Sequence, residues 1–371
     1  MAEDTMRVVF VLPDLPRSGA ATRTVHLAER LVGYGDRVTV ATFRSPVDGG
    51  LAKRLRRSGI DLIRLPGPRG VRRLHRLLDE GSDTVLHAAM PTAGLLGLCV
   101  ARATRRPIVY TYTNCLHTQR PFRTISVRDR LKALLERVIA SRSDALHAVS
   151  QAVADQLRHA YPQSADRVHA IPLSVTAPVS DDALAERPES GGAYPTLLCI
   201  GRLLPHKRVE DAIRAVASVR IGWPAAMLLV VGSGPESPRL RRLVSGLGLE
   251  ANVRLVGESS RPGRFFAWAN LLVHPSVCEG YPRVFAEARA HDLPVVAADT
   301  PHGREYAHAG GRVLLARPAD SGSLAEAITA ALTREASGRR TSDAHGSADV
   351  VRDFRALYRR VLDGGGSPPA Q

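Results

Sequence analysis

Two doubly wound α/β domains, each a parallel sheet wrapped by helices, are the fold class this sequence predicts, and three observations carry the expectation. Short β-rich runs alternate with amphipathic helical stretches along the chain, the pattern of parallel-sheet construction. One stretch, "TAPVSDDALAERPESGGA" (residues 176–193), loses periodicity and fills with Pro, Ser, Gly and acidic residues, as a linker does. The length, 371 residues at 44% hydrophobic content, suffices for two cores.

In the first half, strands are expected at Arg7 to Leu12, Val38 to Ala41, Asp61 to Leu65, Thr84 to His87, Pro107 to Thr111 and Ala145 to Val149. Between the first two, Val25, Ala28, Leu31 and Val32 recur on one helical face. A second series is expected at Thr196 to Ile200, Met227 to Val231, Val253 to Val256, Leu271 to His274, Pro294 to Ala298 and Arg312 to Leu315. "SGRRTSDAHGS" (337–347) reads as a loop before a terminal helix from Ala348 to Leu362 and the tail "GGGSPPAQ". The expected organisation is a first domain over 1–178, a linker over 179–193, a second domain over 194–345, and a terminal crossover helix and tail over 346–371 that returns to the first domain. Facing sheets would bring their strand C-termini to one cleft, where such sheets bind ligands.

Composition removes several classes. No apolar run approaches the roughly 18–20 residues of a membrane span. The start, Met1-Ala2-Glu3-Asp4, is acidic and opens into a strand, unlike a secretory leader, so the expected location is cytoplasmic, with peripheral contact at the inner membrane face as the variant. Cys99, Cys115, Cys199 and Cys278 have no C-x-x-C spacing and are expected as buried small hydrophobes. The net charge of +15 invites a nucleic-acid reading, but the only lysines are Lys53, Lys132 and Lys207, the arginines are spread over the chain, and no nucleic-acid-binding module accompanies them. Nucleic acid is therefore not the expected partner. Arg-for-Lys codon bias accounts for part of the excess in this reading, and service to an anionic ligand or membrane surface for another part.

Chemistry clusters at strand ends. "CIGRLLPHKRVEDAIRA" (199–215) places Arg202 and Lys207 between a strand and a helix, a bidentate guanidinium and a movable ammonium suited to a diphosphate. Gly232-Ser233-Gly234-Pro235 follows a strand but lacks the third glycine of a dinucleotide fingerprint, so an NAD site is rejected. The run is read instead as a tight turn that lets backbone approach a ligand. "CEGYPRVFAEARAHDLPVVAAD" (278–299) carries Glu279 and Glu287 eight positions apart. Across a continuous helix their α-carbons would stand about 12 Å apart, wider than the roughly 5–9.5 Å between glycosidase carboxyl groups. Pro282 suits a first helical turn, whose amides can face a phosphate or sugar oxygen.

These motifs, "VVGSGP", "LGLEANVRLVG", "LLVHPSVCEGYPRVFAEA" and "LPVVAAD" after Arg202 and Lys207, resemble in order and spacing the retaining glycosyltransferases of family four, which have the GT-B architecture. The first half is similar more loosely, through Ser18-Gly19-Ala20-Ala21, "SRSDALHAVSQAVADQL" and "DRVHAIPLSV". The resemblance implies an acceptor-side first domain and a nucleotide-sugar-binding second one. It implies a catalytic set of Arg202, Lys207 and Glu279, in which the cations meet leaving-group charge and Glu279 contacts hydroxyls of the transferred sugar. Donor contacts are implied at Gly19, Gly201, Gly232, Gly257, Gly280, Tyr281, Pro282, Arg283, Val284 and Glu287, the last on the ribose.

It further implies front-face displacement with retention, no metal and no cofactor beyond the nucleotide-diphosphate sugar. UDP, GDP and deoxynucleotide sugars stay open as donors. Where the family often carries a histidine this chain has Thr113, so Asn114 and His117 are candidate substitutes, and His302 a candidate lining the sugar pocket. The expected acceptor is a small-molecule natural product or glycan precursor, since the Arg-rich composition resembles actinobacterial enzymes that include antibiotic-tailoring transferases. The alternatives are a lipid acceptor, prompted by the basic amphipathic stretch 128–142, a nucleotide-sugar epimerase of similar architecture, and a binding module without catalysis.

Overall fold

The structure is a computed structural model that describes residues 5–15, 19–44, 49–81, 83–113, 126–172, 195–259, 261–336 and 350–364. The chain divides into two compact units, Met1–Val175 with Ser347–Gln371, and Thr176–Gly346. The expected linker and the loop 337–347 lie outside the described residues.

The first unit holds a seven-stranded parallel sheet of β1 (Arg7–Leu12), β2 (Arg37–Thr42), β3 (Asp61–Arg64), β4 (Thr84–Ala89), β5 (Ile108–Tyr112), β6 (Ala145–Ala148) and β7 (Val168–Ala170). The order is β3-β2-β1-β4-β5-β6-β7. Helices α1 (Gly19–Gly33), α2 (Gly50–Arg57), α3 (Gly67–Asp79), α4 (Pro91–Thr104), α5 (Val127–Arg142) and α6 (Gln151–Ala160) connect the strands. Six of the seven strands match the sequence expectation to within a residue or two. β7, an edge strand of three residues, is too short to register as an alternating pattern.

The second unit has six parallel strands, β8 (Thr196–Ile200), β9 (Met227–Val231), β10 (Val253–Gly257), β11 (Leu271–His274), β12 (Val295–Ala298) and β13 (Val313–Ala316), ordered β10-β9-β8-β11-β12-β13. Its helices are α7 (Val209–Gly222), α8 (Ser237–Gly246), α9 (Gly263–Trp268), α10 (Arg283–Ala290), α11 (Pro301–His308) and α12 (Ser321–Ala336). Alternation decides the faces: Leu197, Leu228, Val230, Leu271 and Val273 enter one core, and Leu198, Leu229, Val231, Leu272 and Val295 the other. Burial on both sides is why these strands read as unbroken apolar runs. Strands expected from Pro107 and Pro294 start one residue later, because proline has no N–H for the ladder. Their carbonyls still accept, from Leu86 and Leu272 at 3.0 and 2.9 Å.

The terminal helix α13 (Val350–Leu362) belongs to the first unit, as the crossover reading expects. Arg355 pairs with buried Asp36 at 3.0 Å, and Phe354 packs 4.6 Å from the His147 ring. Among the described residues no helix is long and apolar enough to cross a membrane. Cys199 and Cys278 are buried as expected; Cys99 is exposed, on the outer face of α4, which corrects the reading of all four as core residues. Cys115 lies outside the described residues.

In each sheet the strand order reverses once, between β1 and β4 and between β8 and β11. Loops leaving the C-terminal ends of such neighbours part in opposite directions and open a crevice. The glycines after β8 and β9 shape the second crevice. Gly232 has φ 136°, and a Cβ there would lie 1.9 Å from the Gly201 carbonyl oxygen; one on Gly234 would lie 2.3 Å from that of Leu203. The Gly run thus admits the neighbouring loop's backbone at close range. Gly232→Ala is expected to cost about 2–3 kcal/mol through overpacking and backbone strain, read as a lower denaturant midpoint. An unchanged midpoint would show that the loops part freely.

Candidate active site

The site in the second unit is assembled by two loops at its switch point. After β8 the chain runs through Gly201 and Arg202 into a 3-10 turn, Pro205–Lys207, ahead of α7. After β11 it runs from Pro275 to Pro282, ahead of α10. The Val277 N–H donates to the His206 carbonyl at 3.0 Å, pinning one loop to the other. That tie seats the Lys207 ammonium on the Glu279 carboxylate, whose Oε1 also accepts from the Ser276 hydroxyl at 2.9 Å. His274 Nε2 stands 3.6 Å from the same oxygen, fully buried and without a hydrogen-bond partner.

Burial pushes the Glu279 carboxyl up, but the Lys207 charge overrides it and holds the group down at about 2. A permanent carboxylate in a half-closed pocket accepts hydrogen bonds and does not supply protons. Burial drives His274 down to about 3. It also drives His302, in the first turn of α11 and 6.2 Å from the His274 ring, down to about 4. Both rings are neutral at physiological pH. The cluster therefore combines one cation, one anion and two uncharged imidazoles that can donate or accept.

Two helix mouths flank it, and they differ. α7 carries Glu210 and Asp211 in its first turn, and Arg208, with φ 53°, binds Asp211 through two bonds of 2.7 and 2.8 Å. Its positive end is already satisfied by its own acids. α10 has no acid in its first turn and no side-chain cap, so its opening amides suit an external anion. Pro282 caps the mouth of α10 and Arg283 starts the helix.

The structure separates the two glutamates. Glu279 sits in the loop with Lys207, whereas Glu287 lies on α10, where it accepts from Arg283 at 2.9 Å. Arg202 is exposed at the strand end. Gly201, Gly232 and Gly257 end β8, β9 and β10 side by side, with Gly201 N–H bonded to Val231 and Gly232 N–H to Gly257 at 2.9 and 2.7 Å. Between Glu279 and α10, Gly280 and Pro282 are buried and Tyr281 half-buried; Val284, half-buried, lies in the first turn of α10. Sequence reasoning missed His274 and Ser276; the signal was a histidine closing an otherwise aliphatic strand, "LLVH". Among the described residues no group of three His, Cys, Asp or Glu is placed to hold a metal ion.

In the first unit Gly19 opens α1, and Thr113 follows β5 at the rim of a small cavity with Arg23, Thr24, His87 and Thr111. Asn114 and His117 lie outside the described residues. A buried polar chain, also unanticipated, runs from the Tyr358 hydroxyl to His87 Nδ1 at 2.6 Å, on through Thr111 to His147 at 2.9 Å, and ends on the Ile171 carbonyl at 2.9 Å. Burial drives His147 down to about 4 and His87 well below its usual value.

Two Rossmann-like units with a charged cluster at a strand-order reversal are the architecture of GT-B glycosyltransferases. Family models agree: "Glycosyltransferase Family 4" matches residues 17–177 and "Glycosyl transferases group 1" matches 181–345. The chain belongs to the family four, group 1 glycosyltransferases. It is 27% identical to a phosphatidyl-myo-inositol mannosyltransferase of Mycobacterium leprae over 96% of each chain. It is 35% identical over 195 residues to an exopolysaccharide phosphotransferase of Streptomyces coelicolor, covering 52% of this chain but only 20% of that protein. The Anabaena HepE structure, solved in complex with UDP, shares its fold with a TM-score of 0.73 at 19% identity, over 98% of this chain and 96% of that one.

Proposed function

We propose that the protein is a cytoplasmic retaining glycosyltransferase that moves a sugar from a nucleoside-diphosphate donor to a hydroxyl acceptor. One observation carries the reading: a half-buried Lys207–Glu279 ion pair beside an acid-free helix mouth at the switch point. The diphosphate lies against Arg202, Lys207 and the opening amides of α10, Glu287 binds the ribose hydroxyls, and Glu279 and His302 face the sugar. As the bond from the anomeric carbon to the phosphate oxygen breaks, negative charge gathers on the diphosphate and the cations stabilise it. The acceptor oxygen attacks from the same face and its proton passes to the departing phosphate. The nucleoside diphosphate leaves and the sugar keeps its configuration. In this scheme no protein nucleophile, metal or cofactor takes part. UDP, the ligand in the HepE structure, and GDP are the favoured bases. The acceptor is a small-molecule natural product or glycan precursor; a lipid-linked acceptor is a second reading, favoured by the aliphatic side chains that α5 exposes.

Melting curves with UDP, GDP and a deoxynucleoside diphosphate test the donor site. Saturation at about a hundred times Kd is expected to add about 2.7 kcal/mol for the correct base, and Arg202→Ala or Glu287→Ala to abolish that gain and sugar transfer. Full transfer by both variants, an inverted product, or isomerised donor without acceptor would reject the assignment.

A further inference from the structure

The helix α5 buries Ile139 and Ala140 but turns four other aliphatic residues outward, more than a helix that only packs on its own sheet would show. Val127, Leu131, Leu134 and Val138 are 83, 57, 58 and 40% exposed. Their spacing of four, three and four residues lines them along one stripe about 16 Å long. Exposed Arg130 and Arg137 run along one side of the stripe and exposed Arg142 along the other. Both acids of the helix, Asp129 and Glu136, are buried, roughly half a turn away from the stripe. Asp129 completes a capping box with Ser126, and Tyr112 donates to the Glu136 carbonyl at 3.0 Å. Among the described side chains of α5, every charge shown to solvent is therefore positive.

We propose that this face of α5 docks on an anionic lipid surface, with the helix axis in the plane of the interface and the four aliphatic side chains entering between headgroups. Charge complementarity selects this occupant. A second copy of the chain would bring arginines against arginines on either side of the stripe, whereas anionic headgroups neutralise them. The inference does not depend on the sugar donor.

Flotation of the full-length protein tests it, with vesicles of phosphatidylcholine alone and of an equal mixture with phosphatidylglycerol. The protein is expected to float with the anionic vesicles at low salt, not with the neutral ones, and to be released as salt rises. Leu131→Gln with Leu134→Gln is expected to weaken binding more than tenfold, and Arg130→Gln with Arg137→Gln on the order of 25-fold, about fivefold per charge. Both double variants should keep the parent melting temperature and its nucleotide-dependent shift, which separates loss of docking from loss of the fold or donor site. Three results would overturn the proposal: no flotation with anionic vesicles at low salt, equal flotation by the leucine variant, or a dimer in vesicle-free solution that the leucine variant converts to monomer.

Discussion

Lys207→Ala is expected to lower kcat for sugar transfer by about 10²–10³, the scale of removing one preorganised donor to developing oxyanion charge. The same change leaves the Glu279 side chain, 11% exposed, ionised without the charge that holds its carboxyl near 2. Breaking such a pair costs more than the pair itself contributes, so a loss of about 2–3 kcal/mol in the second unit should accompany the loss of activity. The two effects are separable. Lys207→Met combined with Glu279→Gln removes both charges and keeps an acceptor for the Ser276 hydroxyl, so stability should return toward the parent while transfer stays low. Recovery of transfer in the double variant would mean that Lys207 serves only to neutralise Glu279.

Mild acid should destabilise the protein well before its carboxylates protonate. His274, His302 and His147 are held at about 3, 4 and 4 by burial, against about 6.5 in an unfolded chain. Between these values the unfolded chain binds protons that the folded one refuses, so stability is intact above pH 6.5 and falls as pH drops toward 4. Each ring contributes about 1.4 kcal/mol per pH unit in that window, and three together erode several kcal/mol by pH 5, a large share of ordinary domain stability. Glu279 has the opposite sign of shift: its contribution is complete above its unfolded value near 4.5 and is lost only as pH falls toward 2. Melting temperatures from pH 7.5 to 5 should fall steeply, and His302→Gln should flatten the curve by about one buried ring. A flat profile in the parent would show that these rings are solvated.

The strands were legible because burial on both faces leaves aliphatic runs such as "MLLVV" that no helix of that length would need. Three-residue β7 was not, since a strand that short leaves no period. Within the site, Arg202, Lys207, Glu279 and Glu287 stood out as charged residues at strand and helix ends. Their pairing did not, because the tie between Val277 and His206 spans 71 positions and only folding brings those loops together. The buried histidines were missed for a related reason: His274, His87 and His147 sit in strands, and a sequence cannot say whether such a ring meets a partner from another element. The direction of α5 was the least legible feature, because its pattern fits either face, and the burial of Asp129 and Glu136 decides it.

α13 has a consequence for the order in which the chain matures. All of the second unit lies in sequence between the sheet of the first unit and the helix that finishes it. During synthesis the later unit can therefore close as soon as it leaves the ribosome, whereas the earlier one waits, with Asp36 and His87 lacking Arg355 and Tyr358, until the last helix emerges. The nascent protein would then hold a finished second unit before a finished first one.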